Sequence, residues 1–302
     1  MADHEIVKIS VVMATYNGEK YIREQLDSIL SQDYPMFEVI ISDDGSTDDT
    51  IKIVSEYVER FSNVKFVENR SAHGIVNNFL NGFKLAQGEW ICPSDQDDIW
   101  MQHRLGTFAN IVDNHDVDVI RSQDEVLYEG GSIEPDLWLD APSLESAIWR
   151  NRLKGHTCMF RKDAVVPLLI QSHNVSWDYV IWLMVCTSLR VLTIPDMLSL
   201  WRRHPDAVTF LSFNRKDQNQ ESSAVATPPK KESKWYATYA TCHLLKKGTF
   251  STAFQKACVG RADLLSVLLN NGVSCDNKLV RYGIKVLQAA SKQTTWNMVV
   301  QA

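Results

Sequence analysis

Between residues 6 and 92 the chain alternates short apolar runs with amphipathic stretches. The run at 6–13 (IVKISVVM) is rich in β-branched residues and reads as a covered strand. After a turn at 14–18, Tyr21, Ile22, Gln25, Leu26, Ile29 and Leu30 recur at helical spacing. Residues 37–41 (FEVII), 64–67 and 89–92 read as further strands. Helices fill the gaps between them. One starts at the Ser46 and Asp49 signals and carries Ile51, Val54, Tyr57 and Val58; the next runs over 75–86 and stops at Gly88. This order predicts an α/β fold, a mostly parallel sheet flanked by helices on both faces.

Past residue 106 the pattern loosens. Residues 117–121, 125–128, 157–161, 189–194 and 197–202 read as strands, and 143–149, 164–170 and 177–186 as helices. Residues 214–234 are polar and hold Pro228-Pro229, which marks a linker. From Trp235 helical stripes return, at Leu264, Leu265, Val267 and Leu268 and again at Leu279, Tyr282, Val286 and Leu287. They predict a C-terminal helical extension.

Composition and charge sharpen this picture. A chain of 302 residues with 45% hydrophobic and 23% charged positions is an ordinary globular one, not disordered or fibrous. Its net charge of −6 argues against a dedicated nucleic-acid binder, so no nucleic-acid partner is expected. From Lys230 onward, 11 Lys and Arg stand against 3 Asp and Glu, a net +8 that leaves −14 for the rest. A basic tail on an acidic body points to an anionic partner such as a membrane surface. No signal sequence is visible, and no apolar run approaches the roughly 18 residues that span a bilayer. Six scattered cysteines without a CxxC pair suit reduced thiols in a cytoplasmic protein.

Sheets of this kind bind ligands outside the carboxyl ends of their strands. Three polar clusters fall there: Thr15-Tyr16-Asn17, Asp43-Asp44-Gly45-Ser46 and Asp95-Gln96-Asp97-Asp98. Alternate carboxylates at a strand end suit a hard divalent cation, Mn²⁺ or Mg²⁺. The same acids equally suit a helix N-terminus before Ile99-Trp100. Asp44 can accept hydrogen bonds from a base or a ribose, and DDGS is also a plain turn. Asp178, between Trp177 and Tyr179 at a helix start, is a general base if partly buried and a cap otherwise. Arg202 and His204 follow a strand and offer a guanidinium for phosphate oxygens and an imidazole for a metal. Taken singly, each is also an ordinary surface or core residue.

The order of these pieces resembles the family 2 glycosyltransferases with the GT-A fold. The stretches VVMATYNGEKYIREQLDSILSQ, FEVIISDDGSTDDT and GEWICPSDQDDIW cover about a third of the chain; GHTCMFRKD, WDYVIWL and LWRRH extend the likeness more loosely. The likeness is strongest to bacterial enzymes of O-antigen or capsule synthesis, in the rhamnosyltransferase-like group with a DQDDIW signature. It implies a catalytic domain over 1–213, with a nucleotide-binding half at 1–105 and an acceptor half at 106–213, then the linker at 214–234 and the basic helical region at 235–302.

By position, the resemblance implies that Asp44 recognises the base or ribose, with Thr15, Tyr16 and Asn17 lining that pocket. Asp95 would touch the ribose or donor sugar, and Asp97 and His204 would hold the metal. Asp178 would be the general base, and Arg202 a cation near the diphosphate. Asn77 and Asn78 would face the nucleotide. The third acid of the loop makes Asp98 an alternative metal ligand. The QxxRW motif of processive synthases is absent, which implies transfer of one sugar.

The expected partners are therefore a nucleotide-diphosphate sugar and a glycan or lipid-linked oligosaccharide acceptor. The tail, with Trp235, Tyr236, Tyr239, Lys246 and Lys247, is read either as a peripheral contact with the inner face of the cell membrane or as a helical cap or homo-oligomer contact. A receiver domain is disfavoured, because the third strand ends Val67-Glu68-Asn69 without the required isolated Asp. A dinucleotide-dependent dehydrogenase lacks its GxGxxG after the first strand. The alternative kept in view is a sugar-nucleotide-binding relative without catalysis, which the presence of both Asp97 and Asp178 disfavours.

Overall fold

A computed structural model describes residues 6–137, 141–142, 147, 151–171 and 176–207. The chain divides into two compact units. The first holds Met1–Leu139, Leu153–Ile170 and Leu189–Leu211, and the second holds Asp140–Arg152, Gln171–Ser188 and Ser212–Ala302. The linker and tail expected from residue 214 lie outside the described residues, as does the helix expected at 143–149 apart from Ala147.

The first unit opens with the expected alternation. It runs β1 (Ile9–Thr15), α1 (Ile22–Leu30), β2 (Glu38–Asp43), α2 (Thr50–Arg60), β3 (Val64–Glu68), α3 (Ile75–Leu85) and β4 (Trp90–Ser94). Strand β1 pairs in parallel with β2 and β4, and β2 with β3. Val11, Val12 and Met13 are all fully buried, as a strand covered on both faces requires. Helix α1 buries Ile22, Gln25, Leu26 and Ile29, the stripe its spacing predicts. Asp49 occupies the N-cap position of α2 without a side-chain cap bond. Asp48 does that work instead, accepting from the Thr50 backbone N–H and hydroxyl.

The second half of this unit departs from the sequence expectations. Residues 99–100 form a short strand, β5 (Ile99–Trp100), not a helix start. Helix α4 (Arg104–Asn114), an element beyond the sequence expectations, follows it. The two strands expected at 117–121 and 125–128 are one, β6 (Val119–Tyr128), and β7 (Ile133–Asp136) turns back against it. A 3₁₀ turn at Gly155–Thr157 leads into β8 (Cys158–Arg161) and α5 (Lys162–Gln171). The strands expected at 189–194 and 197–202 are also one, β9 (Val191–Arg203), which runs parallel to β6 with register shifts where the polar run Arg121–Glu125 lies. Such irregularities bend a strand without ending it. The sheet order is β3-β2-β1-β4-β8-β6-β9-β5, with β7 on β6.

The second unit contributes α6 (Trp177–Thr187) to the described residues. Every residue from Tyr179 to Val185 is buried, with Tyr179, Trp182 and Leu183 each at 1% exposure or below, so nearly two turns of it are covered all round.

Candidate functional site

Side-chain hydrogen bonds join the loops at the carboxyl ends of β1, β2 and β4 into one rim. Thr15 donates from its hydroxyl to Asp43 Oδ1 at 2.9 Å. Asp43 Oδ2 accepts the backbone N–H groups of Gly45 (2.9 Å) and Ser46 (2.8 Å), which fixes the turn that Gly45 closes with φ of +87°. Asn17 sits at φ +46°, donates its backbone N–H to Ser46 Oγ and accepts from Thr47 N through Oδ1. The Asp44 carboxylate gathers the loop after β3, accepting from Asn69 Nδ2 (2.7 Å) and Gly74 N (2.7 Å), with His73 Nδ1 at 3.2 Å. Gln96 clips the β4 loop to the β1 loop: its amide accepts from Tyr16 N at 3.0 Å and donates to Tyr16 O at 3.1 Å.

Strand pairing then brings the distant WRRH segment to this rim. Ile99 and Trp100 pair antiparallel with Leu200 and Ser199, so the end of β9 runs beside the acidic loop. Arg202 donates its backbone N–H to Asp98 Oδ1 (3.1 Å), Nε–H to the Asp97 carbonyl (2.9 Å) and Nη2–H to Glu24 (2.5 Å). His204 lies 5% exposed, with Nε2 2.9 Å from Asp97 Oδ2 and its ring 4.5 Å from that of Tyr21. Its Nδ1 is buried and has no partner among the described residues.

A second imidazole, which the sequence reading did not single out, enters the same loop. His156 is 7% exposed, and its Nε2 lies 2.8 Å from Asp124 Oδ2. Its Nδ1 lies 3.8 Å from Asp95 Oδ2 and 4.0 Å from Asp98 Oδ2. Lys154 reaches Asp124 at 2.5 Å and Asp136 at 2.7 Å. The Trp201 ring stacks on His156 at 5.8 Å, and Arg104 Nη2 donates to the His156 carbonyl at 2.6 Å.

The electrostatics follow from packing acids together out of water. Burial pushes the Asp98 carboxyl well above its usual range; His156 opposes the shift, and Asp97 and Asp95 add to it. Asp95 is raised the same way, by burial first, against His156 and with Asp97. Burial also acts to lower His156, but Asp98, Asp124 and Asp95 outweigh it and raise the imidazole. Asp124 ends below the usual carboxylate range, because His156 and Lys154 overcome its burial.

The donor chemistry fits a hard divalent cation. Two ligands on neighbouring vertices of an octahedral ion at about 2.1 Å stand about 3 Å apart. Asp97 Oδ2 and His204 Nε2 are 2.9 Å apart, and His204 has a spare Nδ1 to carry the ring proton.

The predicted residues thus separate by position. Asp95, Asp97, Arg202 and His204 converge on one loop. Asp44, Tyr16 and Asn17 share the rim, with Tyr16 55% exposed. Thr15 is 1% exposed, and its hydroxyl braces Asp43. Asn78 is likewise a buried brace, donating to the Thr15 carbonyl and accepting from Ser42. Asp178 belongs to the second unit, two residues after Ser176, the N-cap residue of α6. There it accepts from Asn151 Nδ2 at 2.7 Å and from the Ser176 hydroxyl. His156, Asp124 and Lys154 were missed. Their signal is the polar run Arg121–Glu125 inside a strand, of which Arg121, Ser122, Gln123 and Asp124 are all buried.

A twisted, largely parallel sheet with its polar rim at the strand ends defines a Rossmann-like α/β protein of GT-A type. The chain belongs to glycosyl transferase family 2, whose model matches residues 10–175. It is 24% identical over 236 residues to an uncharacterized glycosyltransferase of Haemophilus influenzae, covering 72% of this chain and 71% of that one. An uncharacterized protein of Mycobacterium tuberculosis is 26% identical over 209 residues, which is 66% of this chain; the chain spans 60% of that relative's length.

Two solved structures share the fold. S. aureus TarS 1–349 in complex with UDP-GlcNAc superposes with a TM-score of 0.57 at 18% identity, over 94% of this chain and 90% of that one. The mannosyltransferase PcManGT from Pyrobaculum calidifontis in complex with GDP-Man and Mn²⁺ gives 0.51 at 18% identity, over 97% and 88%. Among the described residues no helix is long and apolar enough to cross a membrane.

Proposed function

We propose that this protein is an inverting, metal-dependent glycosyltransferase that moves one sugar from a nucleotide-diphosphate sugar to a hydroxyl of a glycan or lipid-linked acceptor in bacterial surface-polysaccharide synthesis. One observation carries the reading: an acidic loop after the fourth strand and a histidine 107 positions later meet at 2.9 Å on the ligand-binding edge of the sheet. The names of the relatives support it, since the fold recurs in proteins solved with UDP-GlcNAc and with GDP-Man and Mn²⁺.

In this reading the rim loops of Asp44, Tyr16 and Asn17 hold the base and ribose, and Asp95 faces the ribose or donor sugar. Asp97 and His204 hold Mn²⁺ or Mg²⁺, which when bound offsets the negative charge that builds on the departing diphosphate. Arg202 fixes the loop through the Asp97 carbonyl and the Asp98 carboxylate and adds positive charge beside it. Asp178 takes the proton of the acceptor hydroxyl. The acceptor oxygen bonds to the anomeric carbon as the bond to the diphosphate oxygen breaks on the opposite face, so the configuration inverts.

The test begins with a panel of UDP-, dTDP- and GDP-sugars scored by release of the nucleoside diphosphate, which chelation stops and Mn²⁺ or Mg²⁺ restores. Asp178→Asn then abolishes transfer to the acceptor while calorimetry still detects the nucleotide. Transfer that survives in Asp178→Asn, or turnover indifferent to chelation, refutes the assignment.

A further inference from the structure

Besides Asp97, the acidic loop contributes Asp95 and Asp98 to a second cluster, with His156. Asp95, Asp98 and His156 each offer a ligand atom, and all three atoms lie within 4.8 Å of one another. We infer that these three residues form a second divalent-cation site, separate from the Asp97–His204 pair, that takes an ion of the Mn²⁺ class.

The gaps themselves are the first argument. Asp95 Oδ2 stands 3.8 Å and Asp98 Oδ2 4.0 Å from His156 Nδ1, beyond hydrogen-bond reach, so the groups face one another without satisfying one another. Asp98 is 1% exposed, and its Oδ2 has no hydrogen-bond partner among the described residues. A buried carboxylate oxygen left unpartnered is expensive, and a cation is the partner that removes the cost.

The imidazole is oriented for this role. Asp124 is a carboxylate and accepts, so Nε2 carries a proton at 2.8 Å from it, and Nδ1 is the nitrogen that faces Asp95 and Asp98 and yields its proton to an ion bound there. A carboxylate behind the far nitrogen is the usual device that fixes the tautomer of a metal-binding histidine. Charge points the same way. Lys154 reaches Asp124 and is shared with Asp136, while among the described residues the buried Arg104 meets the His156 carbonyl and no carboxylate. Two carboxylate oxygens and one imidazole nitrogen form a mixed set that manganese and its neighbours accept. Drawing three ligands to about 2.1 Å from a shared ion needs shifts of less than about 1 Å. Asp95 binds through Oδ2 and keeps Oδ1 for the donor.

This site needs no nucleotide, so its test stands apart from that of the transferase reading. The full chain is titrated with Mn²⁺ alone, and the free ion is followed by electron paramagnetic resonance. At least one ion binds to the wild-type chain, and one ion still binds in Asp97→Asn/His204→Gln. Pulsed measurements on that variant show ¹⁴N coupling from a remaining imidazole. Added to that variant, His156→Gln and Asp98→Asn each weaken binding at least tenfold. Binding that disappears in Asp97→Asn/His204→Gln, bound Mn²⁺ without nitrogen coupling there, or no binding to the wild-type chain at submillimolar Mn²⁺ overturns the proposal. The coupling measurement decides the matter even where His156→Gln fails to fold.

Discussion

Gly18 is the position where a single methyl group reaches furthest into the rim. A Cβ built there lies 2.2 Å from Gln96 Oε1 and 2.6 Å from its Cδ. The contact is with a side-chain end, so in Gly18→Ala the Gln96 amide swings away and the backbone stays. Both hydrogen bonds to Tyr16 are then lost. Each is worth about 1 kcal/mol at most, and less at an exposed site. The substitution also stiffens the unfolded chain, which returns about 0.4–1 kcal/mol. Global stability in urea should therefore change by less than about 1 kcal/mol. The loop coupling should not survive. The Tyr16 amide exchanges faster with deuterium, and the donor binds more weakly. Gln96→Ala removes the same two bonds without a clash, so it should give the same phenotype. The double variant should be no worse than either single one. Additive effects, or a Tyr16 amide that remains protected in Gly18→Ala, would show that the clip does not couple the loops.

Two further outcomes follow from buried charge and a third from close packing. Lys154 and Asp124 are 10% and 1% exposed, so Lys154→Met leaves acids without their cation and lowers stability by about 3 kcal/mol at the urea midpoint; a loss under about 1 kcal/mol would mean that His156 already neutralises Asp124. Burial acts to raise the Glu38 carboxyl, but Lys65, the Ser10 hydroxyl and the Gln87 amide outweigh it and hold it below the ordinary glutamate value. A carboxyl lowered on folding stabilises above its unfolded pKa, and that contribution is lost as the pH falls through the folded one. Glu38→Gln should flatten this acid limb of the stability curve, and an unchanged limb would discount the group. Gly82 packs α3 on the sheet with a virtual Cβ 2.4 Å from Val12 Cγ1, so Gly82→Ala forces α3 off β1 and costs about 1–3 kcal/mol in thermal unfolding; a neutral result would show that Val12 can repack.

Local pattern alone reaches the first half of the fold and the place of the rim. β-branched runs and helical stripes through residue 94 are local signals, and covered parallel strands exaggerate them, so β1 to β4 and their helices stand where the pattern put them. The resemblance to family 2, rather than anything local to them, singled out Asp97 and His204, since alone each reads equally as a cap or an ordinary core residue.

Long-range contacts set what remains. Nothing local shows that Ile99–Trp100 is a strand, since two residues carry no period and owe their state to Leu200 and Ser199 across the sheet. Bulges fused the split strand readings into β6 and β9 because hydrogen bonds from neighbouring strands continue across the irregular residues. His156 gave no sign of its own. One imidazole becomes a ligand only where Asp124 orients it and Asp95 and Asp98 converge on it, and that convergence is set by long-range strand pairing, which no window of sequence contains.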